Sequence, residues 1–437
     1  MGAASERSSV FERVLIAPEV TPGTTIPTTK ALLATKIDPQ TKTLNKAFGA
    51  NGSRWNTVAV QEKEWTEAPV TQDILCVTDL SYLLSMMFGM PSITIPGGGT
   101  LSREHLWNPP TWNAMIPKTF TVETGQAVQA MKFGYGVLTD IGIDFKRDGV
   151  SLSGAMIGQK ATQGITMTPG VNEIQTLHKT GAVTAGTFPL TFLGESTTQI
   201  AFGATAGTIQ TALLLLPNLT TGDVVVTGGP AGTADVIFTF GGRYASLDVA
   251  LIIVGQAALV GGGSYDITQT TPGAPVSELA QIVIGGDDWD FYIDTTAAGL
   301  GVTKLTKTLD ASFNIKGVYG PAWFANTTVP GFTDMVDLTP TAGLKFKVAA
   351  DATGMAYLTN LRQGDTIFPR IKATGGLIEG ALNYLAQFDF AVKIMDINKL
   401  MDSSGIVAVE YTTEINNDST WTKAMSVLVR NQITAIV

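Results

Sequence analysis

The residue types that carry most catalysis and metal chemistry are few and scattered in this 437-residue chain. There are two histidines, His105 and His178, and one cysteine, Cys76. Zinc sites and nucleophile–base pairs need two or more such groups at defined spacing. Neither histidine has a cysteine or a second histidine at ligand spacing, and the two fall in different predicted domains. No Gly-x-Ser-x-Gly elbow and no His-Glu-x-x-His occurs. A single cysteine excludes an intrachain disulfide and reads as a buried thiol. "IPGGGT" at 95–100 is glycine-rich, but it lacks the following Lys-Ser/Thr and the strand–helix setting of a phosphate cradle. It reads as a flexible loop.

The one dense acidic cluster is "GGDDWDFYID", with Asp287, Asp288, Asp290 and Asp294. Calcium prefers such oxygen ligands, yet the EF-hand spacing and its closing Glu are missing. A solvated strand edge is the reading adopted. Trp107 and Trp112 in "HLWNPPTWN" suit a binding platform, or an anchor for a Pro-rich loop or an intersubunit contact. No catalytic residue, metal ligand or cofactor site is assigned.

Hydrophobic residues make up 44% and charged residues 15%, against about 25% charged in an average soluble domain. Either much of the surface is buried against other copies, or a β-rich chain uses Thr, Ser and Asn as its polar residues. The net charge of −9 argues against gripping nucleic acid by its phosphates, which needs clustered Lys and Arg. The start, "MGAASERSSVFERVLIAPEV", has no apolar core of signal-peptide length. No apolar run reaches the ~18 residues of a membrane helix. The expectation is a chain made in a cytoplasm, with no membrane partner.

Patterning divides the chain in three. Residues 1–171 open with an extended, Pro-rich arm (Pro18, Pro22, Pro27) and a strand at 30–38. Runs at 43–48 and 57–65 flank "GANGSRWN", a hairpin with Asn51-Gly52 at its tip and Phe48, Trp55 and Trp65 on its sides. A helix over 79–88 has Leu80, Leu83, Leu84, Met87 and Phe88 at helical spacing and is stopped by Gly89 and Pro91. Long alternating strands follow, turning at Asp148-Gly149. Residues 172–273 read as a self-contained module with a helix over 204–216 and strands that include "VALIIVG" and "YDITQT". Residues 274–437 resume the strand pattern, with a helix near 353–361. The fold class is mainly β (α+β), a sandwich or barrel interrupted by a small β-rich insert with one helix. The two flanks share a loose order of strands, helix and long strands, which points to a duplicated domain. Insertions are tolerated at surface loops, so the module is expected to project outward.

Three segments, "GTTIPTTKALLATKID", "VQEKEWTEAPVTQDILCVTDLSYLLSMMFG" and "FGYGVLTDIGIDFKRDGVSLSGAMIGQ", resemble the major tail tube proteins of long-tailed bacteriophages, especially those infecting actinobacteria. So does "IKATGGLIEGALNYLAQFDFAVKI" near the C-terminus. The insert, with "GTFPLTFLGESTTQIAFGATAGTIQTALLLLPNL" and "VVVTGGPAG", is similar to a module that recurs in phage structural proteins. The resemblance implies a virion structural protein, assembled in the host cytoplasm, with no catalytic residue. It implies rings stacked into a hollow tube through which DNA passes without specific binding. It further implies tape-measure, tail-terminator and baseplate proteins as partners. The hairpin would contact the adjacent ring, with Phe48, Asn51, Arg54, Trp55 and Trp65 as candidate contact residues. Duplication favours a ring of three chains, a pseudo-hexamer, over six. The alternative reading is a β-modular virion surface protein that binds host or carbohydrate, with "DDWDFY" as its one candidate pocket. An unrecognised hydrolase fits less well, because nucleophile–base pairs are missing.

Overall fold

The computed structural model describes residues 12–437, apart from 127–128, 169, 326–330, 399 and 404. The molecule is mainly β. It divides into a large unit, built from the chain up to Met167 together with Glu278–Val437, and a small unit, Thr168–Ser277. The first flank supplies β1 (Arg13–Pro18), β2 (Gln40–Phe48), β3 (Val58–Gln72), α1 (Val77–Phe88), β4 (Arg103–Trp107), β5 (Phe120–Gln126), β6 (Gln129–Lys146) and β7 (Gly149–Gly158). The small unit contains β8 (Ile174–Thr180), α2 (Ala206–Leu213), β9 (Val224–Gly228), β10 (Val236–Phe240) and β11 (Ser264–Thr271). The second flank supplies β12 (Trp289–Asp294), β13 (Thr308–Lys316), β14 (Thr341–Ala349), α3 (Leu358–Gln363), β15 (Thr366–Glu379), β16 (Leu382–Phe390), β17 (Val392–Ile397), β18 (Ile406–Ile415) and β19 (Met425–Asn431).

Alternation along these strands sends one face inward. The longest sheet of the large unit is antiparallel throughout, in the order β2-β3-β7-β6-β13-β14-β18-β17. The flanks meet within it, where β6 pairs with β13 from Lys146 opposite Asp310 to Ile141 opposite Ile315. A second sheet runs β12-β15-β16-β19-β4. Side chains of the two sheets meet in an aromatic core. Phe145 and Phe313 pack on Phe388 at 6.0 and 4.9 Å between ring centres, and Phe346 packs on Phe291 at 5.0 Å. Helix α1 is buried from Val77 to Met87; its apolar residues enter the core, while Asp79 accepts the Ala34 N–H and the Thr35 hydroxyl, and Ser81 accepts a hydrogen bond from Asn431.

β6 is long enough to serve two sheets. Its first half pairs with β5, which pairs with β1; its second half lies in the long sheet. The change falls at Gly134-Tyr135-Gly136, where Tyr135 has φ of +55°, a region that non-glycine residues rarely enter. Buried Glu19 holds it there, accepting the Tyr135 N–H at 3.0 Å, the Gly23 N–H at 2.7 Å and the Thr121 hydroxyl at 3.1 Å.

The two flanks repeat one pairing scheme. Hairpin β2–β3 precedes α1, and hairpin β13–β14 precedes α3. In each flank the hairpin's second strand pairs with the last long strand, β3 with β7 and β14 with β18. That strand pairs in turn with the one before it, β7 with β6 and β18 with β17. The set β1-β5-β6 is matched by β12-β15-β16. Even the irregularities coincide. Thr139 is the extra residue between the pairs Leu138–Met156 and Asp140–Ala155; Met395 is the extra residue between Ile394–Thr413 and Asp396–Thr412. The local sequences are Leu138-Thr139-Asp140-Ile141 and Ile394-Met395-Asp396-Ile397.

The small unit has a sheet in the order β9-β10-β8-β11 and a core of its own around Phe188, Phe192, Phe238, Phe240 and Tyr265, with Ile209 and Leu213 of α2. Thr205 caps α2 by accepting the Thr208 N–H at 3.3 Å. A two-pair stem, Gly170–Pro275 and Val171–Ala274, brings its entry and exit together. The segment "VALIIVG", expected as a strand, is one only at Ile253–Val254. Its backbone is held by side chains instead: Glu173 accepts the Val249 N–H at 2.5 Å and Gln175 the Ile252 N–H at 2.9 Å. Helix α2 is also shorter than the expected 204–216, because the chain tightens into turns after Leu213 that still bury Leu216.

Candidate assembly interface

β2 and β3 pair from Gln40–Glu67 to Phe48–Val58, but β7 flanks β3 only from Thr66 onward. Beyond that point the hairpin is a two-stranded ribbon whose outer part, 43–48 and 58–62, is exposed at every residue, while Glu64 near its root is buried. Its tip is closed by its own hydrogen bonds. The Ser53 N–H donates to Ala50 O at 3.0 Å with Gly52 at φ +82°, and the Thr57 N–H donates to Phe48 O at 2.8 Å. The Ala50 N–H donates to Thr57 Oγ1 at 3.1 Å, and the Ser53 hydroxyl to Trp55 O at 2.6 Å. A shift between Leu44–Lys63 and Asn45–Gln61 leaves Glu62 as a bulge, which increases local twist.

Directly opposed residues share a face of a ribbon. Phe48 with Val58, and Lys46 with Val60, therefore lie on one face, and Leu44 joins them by alternation. Asn45, Ala47, Ala59 and Gln61 lie on the other. The first face carries four apolar side chains open to solvent around Lys46: Phe48 is 65% exposed, and Leu44, Val58 and Val60 are exposed beside it. Trp55 stands 77% exposed at the tip, next to exposed Asn51 and Arg54. Trp65 is placed differently. It packs at the ribbon's root, edge-on to Trp323 at 5.8 Å, and its Nε1 donates to Glu67 at 2.8 Å. The sequence reading found the turn and the aromatics; it missed Leu44, Val58 and Val60, whose shared face depends on the register.

The histidines, the cysteine and the clustered aspartates are kept apart. His105 is buried, stacked on Trp107 at 6.0 Å with Nε2 against Ile433 O at 2.8 Å, and burial lowers its pKa. His178 pairs through Nδ1 with Asp235 at 2.9 Å in the small unit. Burial raises the pKa of Cys76, which suits an inert thiol. The four aspartates point to separate partners. Asp287 lies 3.7 Å from Arg147, and Asp290 is 2.5 Å from Lys304, across a cleft of about 330 Å³. Asp288 accepts the Gly285 N–H, while Asp294 turns inward to the N–H groups of Gly301, Val302 and Thr303. Among the described residues no group of three His, Cys, Asp or Glu is placed to hold a metal, and no helix is long and apolar enough to cross a membrane. Trp112 is exposed, and Trp107 is buried with its Nε1 on Gly89 O at 2.9 Å.

No family model matches the chain. Over 122 residues, 27% of its length, it is 34% identical to the tail sheath protein of Mycobacterium phage Bxz1. The match spans 20% of that relative, so the chain covers about a fifth of the curated protein it resembles. That relative is, by its name, a structural component of a phage tail.

Proposed function

We propose that the protein is the tube subunit of a phage tail, which self-assembles into stacked rings around a channel for DNA. The observation that carries this reading is the ribbon, whose apolar face is uncovered in the single chain. An isolated two-stranded hairpin is at best marginally stable in water, and exposed apolar side chains gathered on one face suit an interaction site. On this reading Phe48, Trp55 and their neighbours Asn51 and Arg54 seat on the adjacent ring, while Trp65 fixes the root. The repeated pairing of the flanks (1–171 and 274–437) supports a duplicated tube domain and a ring of three chains that mimics six. The insert, 172–273, decorates the outer surface. Tape-measure, terminator and baseplate proteins complete the tail, and DNA passes without specific contacts.

The relative's name favours a second reading, a sheath subunit that encloses a separate tube. Electron microscopy of the purified protein tests both. Narrow hollow tubes with three chains per ring, formed without other phage proteins, are the expected result. Polymers that form only around another tube would replace this reading with the sheath, and a protein that stays monomeric at high concentration would overturn both.

A further inference from the structure

We infer that copies of this chain join head to tail by pairing the end of β17 and the residue after it, 396–398, of one against 40–43 of the next, in the register that β6 and β13 adopt within one chain. The inference requires self-association and holds for a tube or a sheath alike.

The internal junction is the template. Past the last β6–β13 pair, the Gly317 N–H donates to Oδ1 of Asp140 at 2.7 Å, so the carboxylate closes the end of the ladder. β17 is the counterpart of β6: aligning the bulges at Thr139 and Met395 matches Asp396 to Asp140, Ile397 to Ile141 and Asn398 to Gly142. Segment 36–43 is the counterpart of 310–317. Gln40 faces Glu67, which faces Ile157, as Asn314 faces Gly343, which faces Glu414. Lys36 and Ile37 face Thr71 and Val70, as Asp310 and Ala311 face Lys347 and Phe346.

Among the described residues the edges at 394–397 and 40–43 are open, while the Ile37 carbonyl on the same edge accepts the Thr124 hydroxyl at 3.1 Å. Among the described pairings, the outer edge of β17 meets only Thr366–Ile367, opposite Lys393 and Val392, which leaves Ile394–Ile397 unpaired on that side. Among the described residues β2 pairs with β3 alone. Asp396 is exposed, with Oδ1 on its own neighbour's N–H at 2.8 Å, and Met395 and Leu400 stand exposed beside it. A sheet whose internal seam is matched by open edges at its two ends presents a heterologous interface, which closes into a ring or runs on as a helix. Transferring the internal pairs sets Thr41 opposite Ile397, Gln40 opposite Asn398, and the Thr43 N–H on the Asp396 carboxylate. Pro39 stands where Phe313 does in the repeat. It removes one edge donor, a feature that restrains indiscriminate pairing of a free edge.

A disulfide tests the register. The N–H of Asp38 points to Pro69 O and that of Asn398 to Glu410 O. Gln40, two residues beyond Asp38, therefore also faces its own sheet. Gln40 and Asn398 thus form a non-hydrogen-bonded pair, with Cα atoms about 4.5 Å apart, inside disulfide range. The native Cys76 is buried and does not compete. The Gln40→Cys/Asn398→Cys protein should give a ladder of disulfide-linked oligomers on non-reducing gels. Mixing the two single variants should stop at dimers, and Leu44→Cys/Asn398→Cys should give no ladder. Asp396→Ala should raise the concentration needed for polymerisation by about tenfold, through loss of a hydrogen bond to a charged acceptor. Polymers visible by microscopy with no Gln40–Asn398 cross-link would overturn this junction and leave self-assembly standing. No association under any condition would overturn both.

Discussion

At the end of β15 the Glu379 carboxylate gathers the N–H groups of Thr100, Leu101 and Ser102 at 2.6 to 3.0 Å, with the Thr100 hydroxyl at 2.8 Å. Bonds to the ionised form, first among them that from Ser102, hold its pKa down to about 2, against an ordinary 4.5. A depressed carboxylate stabilises the fold above its unfolded pKa and loses that contribution as pH falls. The window here runs from about 4.5 down to about 2. Amide exchange at 100–102 should therefore lose protection across that window, beyond the intrinsic pH effect. Glu379→Gln should show the same loss at neutral pH; unchanged protection would mean the loop is held by other contacts. The loop's glycines were legible in "IPGGGT" and read as flexibility. Its anchor was not, because a carboxylate some 279 residues away leaves no mark on local composition.

Among the elements, α1 was the most legible, expected over 79–88 and observed at Val77–Phe88, since five apolar residues at helical spacing admit few other readings. Leu83→Ala should cost about 2–5 kcal/mol, as for other large-to-small changes in a closed core, read from urea unfolding. The helix expected at 353–361 begins only at Leu358. Asp351 ties the chain into turns first, accepting the Gly354 N–H at 2.9 Å, a local competition that propensity does not reveal. For the ribbon, Asn51-Gly52 and the flanking alternation gave the hairpin. The bulge at Glu62 has no residue signature, and with it the apolar face stayed hidden. Phe48→Ser/Val58→Ser should leave monomer stability within about 0.5 kcal/mol, as exposed substitutions do, yet abolish polymers in sedimentation. If polymers persist, the ribbon is not the contact that holds them.

For the whole molecule, separate cores in the large and small units predict separate unfolding transitions. Phe188→Ala, in the small unit's core, should lower one calorimetric transition by about 3–5 kcal/mol and leave the other unmoved. A single shifted transition would show that the units unfold as one. Removing 172–273 behind a short Gly/Ser linker should leave a soluble chain that still polymerises; a soluble chain that cannot would place the insert within the wall. With a net charge of −9, the assembled protein should show no salt-dependent affinity for DNA at physiological ionic strength, and micromolar binding would exclude an inert channel. Mainly-β architecture was evident in the alternation of long apolar and polar runs. The shared pairing of the flanks was far fainter, because pairing partners and bulges are fixed by backbone geometry that many sequences satisfy. The two-pair stem at Gly170–Pro275 and Val171–Ala274 has a further consequence for engineering. Since the cut ends already lie side by side, a foreign domain with neighbouring termini can be grafted there, and each extra residue in the loop adds little closure entropy. If the chain polymerises as proposed, every subunit would display one cargo at a regular interval, making the polymer a ruler for enzymes, antigens or dyes.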